Sequence, residues 1–133
     1  MADFSCRIVL KNSTKTEFKN VQVDQTYGLY QTRPASNLAP GESTNIWLQD
    51  RSGPAGAAGW AKYEVGEGAV QFNYDCPYGS GSNKLTADNG GTGKRVALYG
   101  TNSRGMETSI PVGKEGQYPS GGHPLSGIFE IKE

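Results

Sequence analysis

One histidine and two cysteines carry most of the reactive chemistry open to this 133-residue chain. His123 sits in Gly121-Gly122-His123-Pro124, and paired with the Cys76 thiol it would make a base-activated nucleophile. No spacing brings the two together, and a lone histidine between glycine and proline reads first as a loop residue. Zinc needs three or four His, Cys or carboxylate ligands, and His123, Cys6 and Cys76 are widely scattered. Gly91-Thr92-Gly93-Lys94 has the outline of a phosphate loop. However, position 88 is Asp rather than Gly, and Arg95 replaces the Ser or Thr that would hold magnesium. The acidic residues are dispersed, with no glycosidase-like pair. The residues therefore give no catalytic constellation, metal site or cofactor site, and the chain is read as a non-enzyme.

The aromatic residues are the more informative group. Trp47 alternates with Ile46 and Leu48, and Trp60 with Ala61, Tyr63 and Val65. If those apolar residues face a core, both indoles face outward or into a groove. Tyr27-Gly28-Leu29-Tyr30 and Tyr74-Asp75-Cys76-Pro77-Tyr78-Gly79 place further rings beside turns. Tyrosine and tryptophan join an apolar ring to a polar tip, which suits a membrane interface or a sugar-stacking surface. The candidate binding residues are thus Tyr27, Tyr30, Trp47, Trp60, Tyr74 and Tyr78. The competing reading for any one of them is a ring that caps the end of a core.

The elements that must position these rings are strands. Phe4, Cys6, Ile8 and Leu10 alternate with polar neighbours, as do Val21 and Val23. Lys11 to Thr14 and Pro40-Gly41 offer turns, and residues 52–59 read as a flexible loop. Ala61, Tyr63 and Val65, then Val70, Phe72 and Tyr74, flank Gly66-Glu67-Gly68, so residues 59–74 predict a hairpin. Cys76-Pro77 is not expected to continue a central strand. Further strands are expected at Lys84 to Ala87, Val96 to Tyr99, Thr108 to Val112 and Gly127 to Lys132. No window predicts a helix. Short strands with regular turn signals give an all-β fold, an antiparallel β-sandwich, in a single compact domain over residues 1–133.

Composition narrows the function class. Thirteen basic residues balance thirteen acidic ones, which argues against nucleic-acid binding and against purely electrostatic adsorption to anionic lipid. The N-terminus lacks the basic and apolar regions of a Sec signal peptide, so a cytoplasmic protein, or one released by another route, is expected. Cys6 and Cys76 fit either two buried thiols or one bridge between strands.

Tyr74-Asp75-Cys76-Pro77-Tyr78-Gly79-Ser80, followed by Ser82-Asn83, resembles the aromatic-Asp-Cys-Pro-aromatic-Gly-Ser signature of the aegerolysins, small β-sandwich proteins of fungi and bacteria. The order and spacing of Ile8 to Asn12, Tyr27-Gly28, Ala39 to Glu42, Arg51-Ser52, Val96 to Gly100 and Leu125 to Lys132 are similar to that family too. The resemblance implies binding to membrane lipids at a target-cell surface, commonly a sphingolipid with or without sterol. It also implies a larger perforin-like partner that forms the pore, as in some insecticidal toxin pairs. Tyr27, Tyr74 and Tyr78 occupy the matching aromatic positions. Two departures stand out: tyrosine replaces the family's usual tryptophan, and no acidic residue lies between Ser52 and Gly59.

Two other classes fit the aromatic pattern. One is a carbohydrate-binding lectin, which uses the same rings as sugar platforms. The other is a self-sufficient pore former of the actinoporin type. That mechanism needs an N-terminal amphipathic helix, whereas residues 3–11 alternate with the period of a strand.

Overall fold

Alternation of apolar and polar residues becomes two layers of strands. A computed structural model describes residues 4–50, 56–78, 83–88, 90–101, 107–110, 116–117 and 124–133. The first half of the chain forms β1 (Cys6–Ser13), β2 (Phe18–Tyr27), β3 (Leu29–Thr32), β4 (Ser43–Gln49) and β5 (Gly56–Val65). The second half forms β6 (Gly68–Pro77), β7 (Lys84–Asp88), β8 (Arg95–Thr101), β9 (Glu107–Ile110), β10 (Gly116–Gln117) and β11 (Leu125–Lys132). Among the described residues there is no helix. One sheet has the order β3-β4-β1-β11-β8-β9 and the other β10-β7-β6-β5-β2. Their inner faces meet as a sandwich, and pairing is antiparallel with one exception. The first and last strands, β1 and β11, run parallel in the middle of the larger sheet, from Cys6 opposite Leu125 to Ser13 opposite Lys132.

The core is the inward set of each alternation. Ile8, Leu10, Ile46, Leu48, Phe129 and Ile131 come from one sheet, and Ala61, Tyr63, Val70, Phe72, Tyr74 and Leu85 from the other. Phe72 and Phe129 meet across the layers with ring centroids 4.9 Å apart. Burying each such side chain contributes on the order of 1.5–3 kcal/mol.

Several local expectations are corrected. β1 continues through Ser13, so the expected turn begins later. Residues 56–59 are not loop: they begin β5 and pair with Tyr74 to Pro77. Gly59 is in that strand because nothing larger fits. A Cβ there would stand 2.7 Å from the Asp24 carbonyl oxygen and 2.8 Å from the Tyr30 hydroxyl. Cys76 and Pro77 do extend β6. Proline is tolerated because β7 pairs with β6 only as far as Asp75, so Pro77 lies beyond that ladder. The short strand β3 was not expected.

One end of the sandwich is fastened by Asn12. Its side-chain amide donates to the carbonyls of Thr16 (2.9 Å) and Leu38 (3.0 Å). Its Oδ1 accepts from the Thr14 amide (3.0 Å) and hydroxyl (2.7 Å). The Asn12 main chain pairs with Glu42 and Gly41. This buried residue therefore ties β1 to the segments leading into β2 and β4.

Candidate functional site

The opposite end collects the exposed rings. Among the described residues the exposed large hydrophobic side chains are Tyr27 (54 %), Leu29 (51 %) and Tyr78 (54 %). Strand register brings them to that one end. Tyr27 closes β2 opposite Ala58, Ala58 pairs with Asp75 of β6, and Tyr78 follows the end of β6. Leu29 opens β3 opposite Gln49, the last residue of β4. With neighbouring strands about 4.8 Å apart, Tyr27 and Tyr78 are two strands apart along one rim.

The rim is supported by main-chain and polar contacts. Gly28 holds a φ of 105° between the two exposed residues, and a Cβ there would meet the Gln49 carbonyl oxygen at 2.8 Å. Only glycine makes that turn without strain, so Tyr27 and Leu29 are presented on two sides of one hinge point between the sheets. Phe4 packs on Tyr78 with centroids 5.2 Å apart. The Asp50 carboxylate accepts from the Phe4 amide and the Ser5 hydroxyl, each at 3.3 Å, which fixes the start of β1 beneath that ring pair.

The other candidates are placed differently. Tyr74 is a correction: it is 1 % exposed and faces the core with Val70 and Phe72. Its parity in β6 points the ring inward, so it cannot meet a lipid surface without opening the sandwich. Tyr30 is half-buried and braces the two sheets. Its hydroxyl donates to the Asp24 carbonyl (2.7 Å) and lies 2.6 Å from the Tyr74 hydroxyl. Arg33 covers its ring at 5.3 Å. Burial pushes the Tyr30 phenol up to about 12 and raises Tyr74 further, with the Tyr30 hydroxyl adding to the latter.

Trp47 and Trp60 both face outward, on opposite sheets, so they share no surface with each other. Trp47 is capped by the Arg7 guanidinium, 4.3 Å from its ring centroid, and its indole nitrogen is buried without a hydrogen-bond partner. Trp60 stands between Asp24 of β2 and Asn73 of β6 in the other sheet. Leu29 is the rim residue that pattern reading missed. An apolar residue after a Tyr-Gly turn was the available signal.

Among the described residues the remaining reactive side chains do not assemble a site. Cys6 and Cys76 are buried thiols, and Cys6 donates to the Ala57 carbonyl at 3.5 Å. His123 lies outside the described residues. Lys94, in the loop resembling a phosphate site, is held by the Glu133 carboxylate, 2.9 Å from its Oε2. Among the described residues no group of His, Cys, Asp or Glu gathers as a metal site, and no helix is long and apolar enough to cross a membrane. No protein-family model matches the chain, and no characterised protein matches its sequence significantly.

Proposed function

We propose that this protein binds the lipid–water interface of a target membrane through the end bearing Tyr27, Leu29 and Tyr78. The observation that carries the reading is their shared location: among the described residues the large exposed apolar side chains gather on one rim. Rings with polar tips on a rigid scaffold can enter a headgroup layer with little loss of conformational freedom. Burying one such side chain contributes about 1.5–3 kcal/mol, so the two rings and Leu29 together give useful affinity. The balanced charge makes that affinity only weakly salt-dependent.

The resemblance of residues 74–80 to the aegerolysin signature extends this reading. On it, the lipid is a sphingolipid with or without sterol, and a perforin-like partner forms the pore after the bound protein recruits it. Tyr27 and Tyr78 keep the role that the resemblance implies; Tyr74 is assigned instead to the core.

Co-sedimentation with vesicles tests the proposal. The vesicles contain phosphatidylcholine alone, or with cholesterol, sphingomyelin or ceramide phosphoethanolamine, and enclose a dye. The expected result is binding to a sphingolipid mixture without dye release. Absence of binding to every mixture would refute the proposal, and dye release by the protein alone would favour a self-sufficient pore former.

A further inference from the structure

The outer face of the β2-β5-β6-β7 sheet carries a second arrangement, separate from the exposed rim. Trp60 is partly exposed at its centre, and no hydrogen bond or ring contact among the described residues engages its indole. Register sets Asp24 on one side of it and Asn73, then Thr86, on the other. The neighbouring Gln71 donates to Asn73 Oδ1 at 2.9 Å, and Asn73 donates to Thr86 Oγ1 at 3.0 Å. This ladder fixes the amides in place. That ladder does not use the Gln71 side-chain carbonyl or the second N–H of Asn73. Asp24 Oδ1 accepts from the Gln25 amide at 2.8 Å, so its second oxygen is available as a charged acceptor.

The set is one partly exposed indole with fixed amides, a hydroxyl and a carboxylate on the neighbouring register positions. Across the same face Lys19, Lys62 and Lys84 stand against Asp24, Glu64, Asp75 and Asp88, so charges of both signs are interspersed. Anionic or cationic partners are therefore not selected. A ligand with a flat C–H face and paired hydroxyl groups at its edge matches every component. Trp47 provides the internal contrast, because Arg7 occupies its ring.

We infer that Trp60, Asp24, Asn73 and Gln71 form a binding site for a neutral hexopyranose unit of a glycan. The sugar ring stacks on the indole, and hydroxyls on its opposite edges donate to Asp24 on one side and to Gln71 on the other, where Asn73 also donates to them. The sugar can come from a soluble or protein-linked glycan or from a glycolipid headgroup; the chemistry is the same.

The test uses the full chain on a printed array of neutral gluco-, galacto-, manno- and N-acetylglucosamine oligosaccharides, alongside phosphatidylcholine vesicles with and without glucosylceramide or lactosylceramide. The expected result is a saccharide signal that Trp60→Ala weakens about tenfold or more, the loss of one stacking contact. Asn73→Ala weakens it less, and Trp47→Phe leaves it unchanged. Asn73→Ala is the second reporter should Trp60→Ala fail to fold. Array binding identifies a free glycan, whereas binding confined to glycolipid vesicles and dependent on Trp60 identifies a glycolipid; either supports the site. No signal on array or glycolipid, or a signal that neither Trp60→Ala nor Asn73→Ala weakens, overturns it. Tyr27→Ala with Tyr78→Ala is expected to spare array binding, which separates failure of this site from failure of the lipid reading.

Discussion

At one end of the sandwich the Asn12 side chain makes four hydrogen bonds and is buried with them. At the other, Tyr27, Leu29 and Tyr78 keep about half of their surface in water. The difference separates stability from recognition. Polar atoms at the first end have partners inside the protein, so loss of a partner strands them in a dry interior. Rings at the second end have spare apolar surface, so their removal costs the fold little and a surface-bound state much.

The largest effect should follow from Asn12→Ala. It leaves the Thr14 amide without its acceptor and removes the side-chain donor to the buried Leu38 carbonyl, an expected loss of about 2–4 kcal/mol in urea unfolding. Vesicle affinity of the folded fraction should be unchanged. Next comes Tyr27→Ala combined with Tyr78→Ala. Losing two interfacial rings should lower vesicle affinity at least tenfold, at about 1.5–3 kcal/mol per ring. Unfolding free energy should stay within about 0.5 kcal/mol per site, as for surface substitutions. If the two variants exchanged phenotypes, the division between the ends would be wrong.

The interior between the ends adds a pH signature. An unfolded tyrosine ionises near pH 10, whereas burial holds the Tyr30 phenol protonated to about 12 and Tyr74 higher still. The unfolded chain therefore releases protons that the folded chain retains. Stability is full below about pH 10 and is lost progressively as pH rises through about 12 for Tyr30. Melting temperatures measured across that range should fall less steeply in Tyr30→Phe than in the native chain. The smallest effect is expected from Asp75→Asn. Burial raises the Asp75 carboxyl against the opposing pull of Lys84, so its charged form disfavours folding once pH exceeds the raised value. The amide should stabilise the protein at neutral pH by less than about 0.5 kcal/mol, measured by urea unfolding.

Parity was the readable part of the sequence. Ile46 and Leu48 inward with Trp47 outward, and the hairpin around Gly66-Glu67, follow from period two and a turn signal. The same parity puts Tyr74 in the core; the motif spacing that placed it on the membrane ignored its position in the strand. What parity cannot supply is the identity of a distant partner. Gly56 to Gly59 read as loop because glycine weakens strands, but the close approach of Tyr30 and Asp24 is what requires Gly59. Likewise, the parallel pairing of β1 with β11 joins opposite ends of the chain and leaves no local trace. The rim was half legible: Tyr27 and Tyr78 stood beside turns, whereas Leu29 and the support from Phe4 and Asp50 depend on sheet packing.

The most direct measurement of which end faces the membrane uses a polarity-sensitive fluorophore on a single added thiol, Leu29→Cys at the rim or Lys15→Cys near Asn12. Cys6 and Cys76 are buried, so the label reports the added position. On adding sphingomyelin–cholesterol vesicles, the expected result is a blue shift and brightening at position 29 with no change at position 15. An unchanged spectrum at position 29 in the vesicle-bound protein, or a shift at position 15 instead, would contradict a membrane-facing rim of Tyr27, Leu29 and Tyr78.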